Sequence, residues 1–258
     1  MNLSNENIVH IEKDGIQYLQ FKRLLEYENK LKHCFTLKPL DLKEKTKDAS
    51  DYKKICDALS INWEDIIYPK QTHSDIVKSV GKNTDISDFY NVDGLITNEK
   101  NKALSLKFAD CTSFLLYDPE KNVIGDIHSG WRGTVKKIGK NAIEKMEQEF
   151  GCNPKDIICC IGPTIKKCHF VVEDDTKNEF IKSFNNQDII ENIGIIDGKQ
   201  KYKIDAVTAN INMLKECGLK EQNIIDSGIC TVCYHELMHS YRCDKEFSGR
   251  NAAIMCLI

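Results

Sequence analysis

The chain has 258 residues, with 36 Lys and Arg against 39 Asp and Glu, a formal net charge of −3, 41% hydrophobic residues and 29% charged residues. That length buries a sizeable core and fits one large domain, and the composition excludes a disordered or membrane-embedded chain. The slightly acidic balance lacks the basic face of a nucleic-acid binder, no run approaches the ~18 apolar residues of a membrane span, and the polar stretch Met1 to Gly15 has no signal-peptide core.

The first half reads as short strands in chain order: Ile16 to Phe21, Cys34 to Leu37, Ile66 to Tyr68, Ile76 to Val80, Leu95 to Thr97, Ala103 to Phe108, Phe114 to Tyr117 and Val123 to Ile127. The charged stretch Asp41 to Lys54 reads as a surface loop that leads into a helix around Tyr52 to Leu59. Asp118-Pro119-Glu120-Lys121-Asn122 is a hairpin turn signal between the last two strands. From Thr134 to Phe150 the period changes: Val135, Ile138, Ala142, Ile143, Met146 and Phe150 fall at helical spacing, and Gly151 ends the run. A second helix is predicted from near Asp205, burying Val207, Ile211 and Leu214 and stopping before Gly218. The tail, Ala252 to Ile258, reads as a buried strand. Runs of strands with a few helices point to an α+β fold, and the lack of repeats or a linker to one domain over residues 1–258.

Twelve cysteines in a chain without a secretory signal imply reduced thiols and a cytoplasmic protein. Most, such as Cys159 and Cys160, read as small buried hydrophobes. Cys230 and Cys233 with His235 and His239 look like half a zinc site, but the Cys233–His235 spacing is too tight for a finger, and burial of Cys230 on a strand is the favoured reading. His10, His33 and His169 show no partner pattern.

Three segments carry candidate chemistry at predicted strand ends: Lys70 to Asp75 with His73, Phe108 to Thr112 with Cys111, and Ile127 to Thr134 with His128. Two imidazoles and a thiolate suit zinc with a fourth position open, and they accept copper as well. The same atoms also fit a Cys111 nucleophile with His73 or His128 as base and Asp110 orienting the imidazole. Ordinary packing of a His, a Cys and a turn His is the plain alternative. Only four bases are Arg, at positions 23, 132, 242 and 250. In a Lys-rich chain a retained Arg marks a need for a planar fork of donors. Arg132, Gly133 and Thr134 open a predicted helix, with Thr134 as its cap, where backbone N–H groups favour an anion. His239, Arg242 and Arg250 form a similar polar group near the C-terminus, whereas Arg23 reads as surface.

Taken together, Gln71 to His73, Asp93 to Thr97 (DGLIT), Ala109 to Cys111 (ADC), His128 to Thr134 (HSGWRGT), Ile161 to Ile165 (IGPTI), Cys230-Thr231, His239 to Arg242 and Gly249-Arg250 resemble the YfiH family, also called the laccase-domain or multicopper polyphenol oxidase-like family. The resemblance implies a compact α+β fold of mixed sheets packed face to face with helices outside. It also implies a metal site at His73, Cys111 and His128, with zinc, or copper, as cofactor. It further implies phosphorolysis of adenosine, inosine and 5'-methylthioadenosine, with adenosine deamination at the same site. Seven His without one His-x-His pair exclude a four-copper laccase, and only weak copper-dependent polyphenol oxidation remains compatible. Asp110 is the candidate proton shuttle. The expected partners are therefore a purine nucleoside and phosphate. The chain departs from the family pattern at Phe35 to Leu40, which lack an Arg and paired glycines, at Val171 in place of a Glu, at Ser74 in place of a Gly and at Ser113 in place of a Pro.

Overall fold

The computed structural model describes residues 1–43, 50–82, 84, 89–184 and 187–258. In chain order the elements are β1 (Ile8–Lys13), β2 (Ile16–Phe21), α1 (Lys22–Leu25), β3 (Leu31–Thr36), α2 (Ser50–Leu59), β4 (Ile66–Ile67), β5 (Val77–Ser79), β6 (Gly94–Thr97) and β7 (Ala103–Phe108). These are followed by β8 (Thr112–Asp118), β9 (Val123–Ser129), α3 (Trp131–Val135), α4 (Ile138–Phe150), β10 (Ile158–Ile161), β11 (Val171–Val172) and α5 (Asp174–Ser183). The chain closes with β12 (Ile190–Ile196), β13 (Lys199–Ile204), α6 (Ala206–Glu216), β14 (Ile224–Asp226), α7 (Tyr241–Asp244) and β15 (Asn251–Leu257).

The strands form two six-stranded sheets, ordered β1-β2-β3-β15-β7-β4 and β14-β10-β8-β9-β6-β5, and a small β11-β13-β12 sheet. Central strands are buried on both faces, so they read as continuous apolar runs. Their two-residue period then assigns each face. In β8, Leu115 and Tyr117 face the other sheet, whereas Phe114 and Leu116 face helices α4 and α6. In β15, Ala253, Met255 and Leu257 enter the inter-sheet core, whereas Ala252, Ile254 and Cys256 pack toward α2 with Tyr52, Ile55 and Cys56. The result is four layers: helix, sheet, sheet, helix. This is the α+β arrangement, with sheets face to face and helices outside, that the sequence implied.

Several predicted elements hold at close to their stated bounds. β2 and β7 match, and Asp118 pairs with Val123 to close the β8–β9 hairpin. Asp205 caps α6 by accepting the Thr208 N–H at 2.9 Å. Within α6, Val207 and Leu214 are buried and Ile211 is half-buried against the same core. Gly151 ends α4 in the left-handed conformation. The single helix predicted from Thr134 to Phe150 is instead two helices, broken at Lys137, which sits at φ 60°. Periodicity does not register one residue of reversed φ. Of the loop predicted over Asp41 to Lys54, residues 44–49 lie outside the described residues, and Ser50 to Lys54 are not loop but the first turns of α2. Cys230 is not on a strand: one bridge to Thr164 holds it before a turn. The β12–β13 hairpin carries a recognisable signal, Asp197-Gly198 with both φ positive, which is the two-residue turn that suits a twisted hairpin.

Candidate metal centre

Three connections bring His73, Cys111 and His128 together. His128 lies on β9, opposite Ser113 of β8. Cys111 sits where the chain crosses from β7 in one sheet to β8 in the other. Asp110 makes that corner at φ 82°, a conformation Asp tolerates better than most side chains. His73 follows β4 on a loop, also with positive φ. The ligand atoms of the three residues lie within 4.8 Å of one another, and the two imidazole centroids are 5.0 Å apart.

Asp93, just before β6, organises the group. Its carboxylate accepts the backbone N–H of Thr72, His73 and Ser74 at 3.1, 3.0 and 2.8 Å. The His128 Nδ1 lies 2.7 Å from Asp93 Oδ1, which leaves His128 Nε2 as the nitrogen that could meet a metal. A single buried carboxylate thus fixes the His73 backbone and the His128 ring. Ser74, one of the departures from the family pattern, adds its hydroxyl 2.8 Å from Asp93 Oδ2. Burial pushes the Asp93 carboxyl up, but the His128 hydrogen bond and charge and the loop amides outweigh it, holding the group at about 2. Burial also opposes ionisation of Cys111 and His128. The charge of each favours ionisation of the other, and the thiol falls to about 6 while the imidazole rises to about 9.

The donor set and the space around it fit a metal ion. A His, Cys, His set with one open position is the chemistry of a catalytic zinc site, and Asp93 supplies the carboxylate–histidine support such sites carry. Gly130 leaves room for the ligands: a Cβ there would stand 2.7 Å from His73 Cδ2 and 3.2 Å from Cys111 Sγ.

The centre opens into a cleft of about 1140 Å³. Among the described residues six cationic side chains line it, Lys43, Lys70, Lys107, Arg132, Arg242 and Arg250, against one acid, Asp110. Aromatic walls come from Tyr68, Phe89, Tyr90, Trp131, Phe170 and Tyr241. Arg132 is exposed and stacks over Trp131 at 4.3 Å. Arg242 donates to the carbonyls of His169 and Val171 at 2.7 and 3.3 Å, using two of its five N–H groups. Arg250 donates to the carbonyls of Ser248 and Gly249. Arg23 pairs with Glu26 at the surface, as the sequence suggested.

Other predicted site residues have different roles. Asp110 does not orient a histidine; Asp93 does. Both Asp110 oxygens are engaged at 2.6 Å, one by the Thr231 hydroxyl and one by the Arg242 backbone N–H. Asp110 therefore anchors the C-terminal segment to the corner that carries Cys111. Thr134 is not the cap of α3, which has Gly130 at that position without a side-chain cap. Its buried hydroxyl bonds Ser129 and Asn210 instead. Gly133 packs against Ile138 and the Ser74 carbonyl. His239 turns away from the cleft, its Nε2 2.9 Å from the Leu40 carbonyl. Asp93 was visible within the DGLIT segment, but its partner His128 is 35 residues away, a distance no local pattern spans.

Comparison with known proteins shows the family and the fold. The family model described as multi-copper polyphenol oxidoreductase laccase matches residues 40–258, so the chain belongs to that laccase-like, YfiH-type family. A purine nucleoside phosphorylase of Bacillus subtilis, YlmD, is 32% identical over 79% of this chain and 76% of its own length. A purine nucleoside phosphorylase of Clostridium acetobutylicum is 37% identical over 73% and 75%. Among solved structures, Bacillus licheniformis YfiH superposes with a TM-score of 0.85 at 25% identity, covering 98% of this chain and 100% of that one. YlmD from Geobacillus stearothermophilus gives 0.83 at 22% identity, covering 97% and 99%, and shares the fold.

Proposed function

We propose that the chain, as one cytoplasmic domain over residues 1–258, is a metal-dependent purine nucleoside phosphorylase acting on adenosine, inosine and 5'-methylthioadenosine, with adenosine deamination as a side activity. The observation that carries this reading is the meeting of a His73–Cys111–His128 donor set with a cation-lined, aromatic-walled cleft. Relatives named purine nucleoside phosphorylase support it.

In phosphorolysis a phosphate oxygen forms a bond to C1′ of the ribose while the C1′–N9 bond breaks and the purine leaves with the electron pair and takes up a proton. Arg132, Arg242 and Arg250 offer forked donors for the phosphate, and Lys70 and Lys107 add positive potential over the same opening. The aromatic walls exclude water and stack on a purine face. His73, Cys111 and His128 would hold the ion, zinc or copper, which when bound supplies Lewis acidity. Asp93 keeps His128 oriented. In the side reaction water replaces the C6 amino group and ammonia departs.

Purified, zinc-loaded protein incubated with adenosine is expected to give adenine and ribose 1-phosphate only when phosphate is present, and inosine slowly without it. Absence of adenine, inosine and hypoxanthine would overturn the proposal.

A second reading rests on one observation: Cys111, His128 and Asp93 form a thiol–imidazole–carboxylate series, with the Cys111 sulfur within 4.8 Å of a His128 ring nitrogen and His128 Nδ1 2.7 Å from Asp93 Oδ1. A hydrolase of that kind would turn over in a chelator and be stopped by alkylation of Cys111. The phosphorylase reading expects chelation to abolish activity and bound zinc to protect Cys111 from iodoacetamide.

A further inference from the structure

Cys168 and His169, on the loop after β10, meet Cys230 and Cys233, on the segment after β14. The four ligand atoms lie within 4.8 Å of one another. Cys168 Sγ is 3.6 Å from Cys230 Sγ and 3.8 Å from Cys233 Sγ. His169 Nδ1 stands 3.2, 3.7 and 3.5 Å from the sulfurs of Cys168, Cys230 and Cys233. Zinc bonds of ~2.3 Å to sulfur and ~2.05 Å to nitrogen in a tetrahedron require edges of about 3.8 Å between sulfurs and about 3.6 Å from nitrogen to sulfur. The sulfur separations of 3.6 and 3.8 Å and the nitrogen–sulfur separations of 3.7 and 3.5 Å lie close to those edges, and the 3.2 Å from His169 to Cys168 is shorter. They are too long for a disulfide, whose sulfurs lie ~2.05 Å apart.

We infer that Cys168, His169, Cys230 and Cys233 form a second, closed metal centre that binds zinc in a structural role. Three thiolates and one imidazole complete a tetrahedron and leave no position for substrate. His169 was without a pattern in the sequence, and Cys230-x-x-Cys233 was half a site. The missing half is the adjacent pair Cys168-His169, more than 60 residues earlier.

The position gives the ion something to hold. The loop from Thr164 to Phe170 and the segment reaching Tyr241 and Arg242 both line the cleft. Thr231 N–H donates to the Thr164 carbonyl at 3.1 Å, and Arg242 donates to the His169 carbonyl. A metal at the cluster ties these two walls together. It is independent of the chemistry proposed for the cleft.

The test is metal stoichiometry on the full chain, saturated with zinc under reducing conditions and desalted. Wild-type protein is expected to hold two equivalents. His73→Ala/Cys111→Ser is expected to keep one, and Cys168→Ser/Cys233→Ser to keep the other. Cobalt loaded into His73→Ala/Cys111→Ser is expected to show the strong sulfur-to-cobalt charge-transfer absorption of several thiolate ligands. The inference is overturned if Cys168→Ser/Cys233→Ser holds as much zinc as wild-type protein. It is equally overturned if folded His73→Ala/Cys111→Ser takes up neither metal, or if the unreduced protein is two hydrogens light because two of these cysteines have joined. Where a variant fails to fold, cobalt-loaded wild-type protein decides: the His73–Cys111–His128 group offers one thiolate, so charge-transfer absorption no stronger than one thiolate gives would equally overturn the inference.

Discussion

At the scale of single residues the site depends on Asp93 and Gly130 more than on the ligands' neighbours in sequence. Asp93→Asn keeps the shape but removes the charge that orients His128 and gathers the Thr72–Ser74 amides. Loss of such support costs roughly 10–100-fold in metal affinity, so a zinc-competition titration of this variant should show a weakening of that order at the His73–Cys111–His128 site. Gly130→Ala would drive a methyl into His73 and Cys111. Metal loss from that site, with far-ultraviolet circular dichroism unchanged, is the expected result. His73, Cys111 and His128, the proposed ligands, stood out in the sequence because each sits inside a distinctive short motif. The role of Asp93 was not, because hydrogen-bond partners across strands leave no spacing signature. Adjacency to Cys111 pointed instead to Asp110, whose oxygens are committed to Thr231 and Arg242.

At the scale of elements, local chemistry that acts within a few residues was read well. The β8–β9 turn, the Gly151 stop and the Asp205 start all rest on contacts between near neighbours. Asp205→Ala removes the acceptor for the Thr208 N–H and should lower stability by about 1 kcal/mol, measured by urea denaturation at neutral pH. What the sequence did not reveal were elements whose apolar faces are incomplete alone. β12 is largely exposed and β13 is mostly half-buried, so neither shows the alternation that marks a strand on the core, and only their Asp197-Gly198 turn betrays them. The break at Lys137 was hidden because apolar residues continue at helical spacing on both sides of it.

At the scale of the whole molecule, the two-sheet core imposes its own pH dependence. His33 on β3 is buried and accepts the Phe21 N–H at 2.8 Å through Nε2. Burial pushes its pKa down to about 3, against about 6.5 for an exposed imidazole. The unfolded chain therefore takes up this proton first as pH falls. Stability is expected to be full above pH ~6.5, to decline by about 1.4 kcal/mol per pH unit below that for this group, and to level off near 3. His33→Gln, which retains an acceptor without titrating, should flatten the fall in thermal midpoint between about pH 6.5 and 4. An unchanged slope would assign the acid sensitivity elsewhere. The global charge of −3 also hides a local reversal. Among the described residues six cations gather at one cleft, and the four-layer fold, rather than composition, puts them there.

The central claim is that the cleft performs phosphorolysis with the aid of the ion held by His73, Cys111 and His128. The most direct measurement is the rate of ribose 1-phosphate formation from adenosine and phosphate by chelator-stripped protein as zinc is added back. The rate should be near zero when stripped, recover with zinc in wild-type protein, and stay near zero in His73→Ala/Cys111→Ser at every zinc concentration. Full turnover by the stripped protein, or by that variant, would contradict the claim.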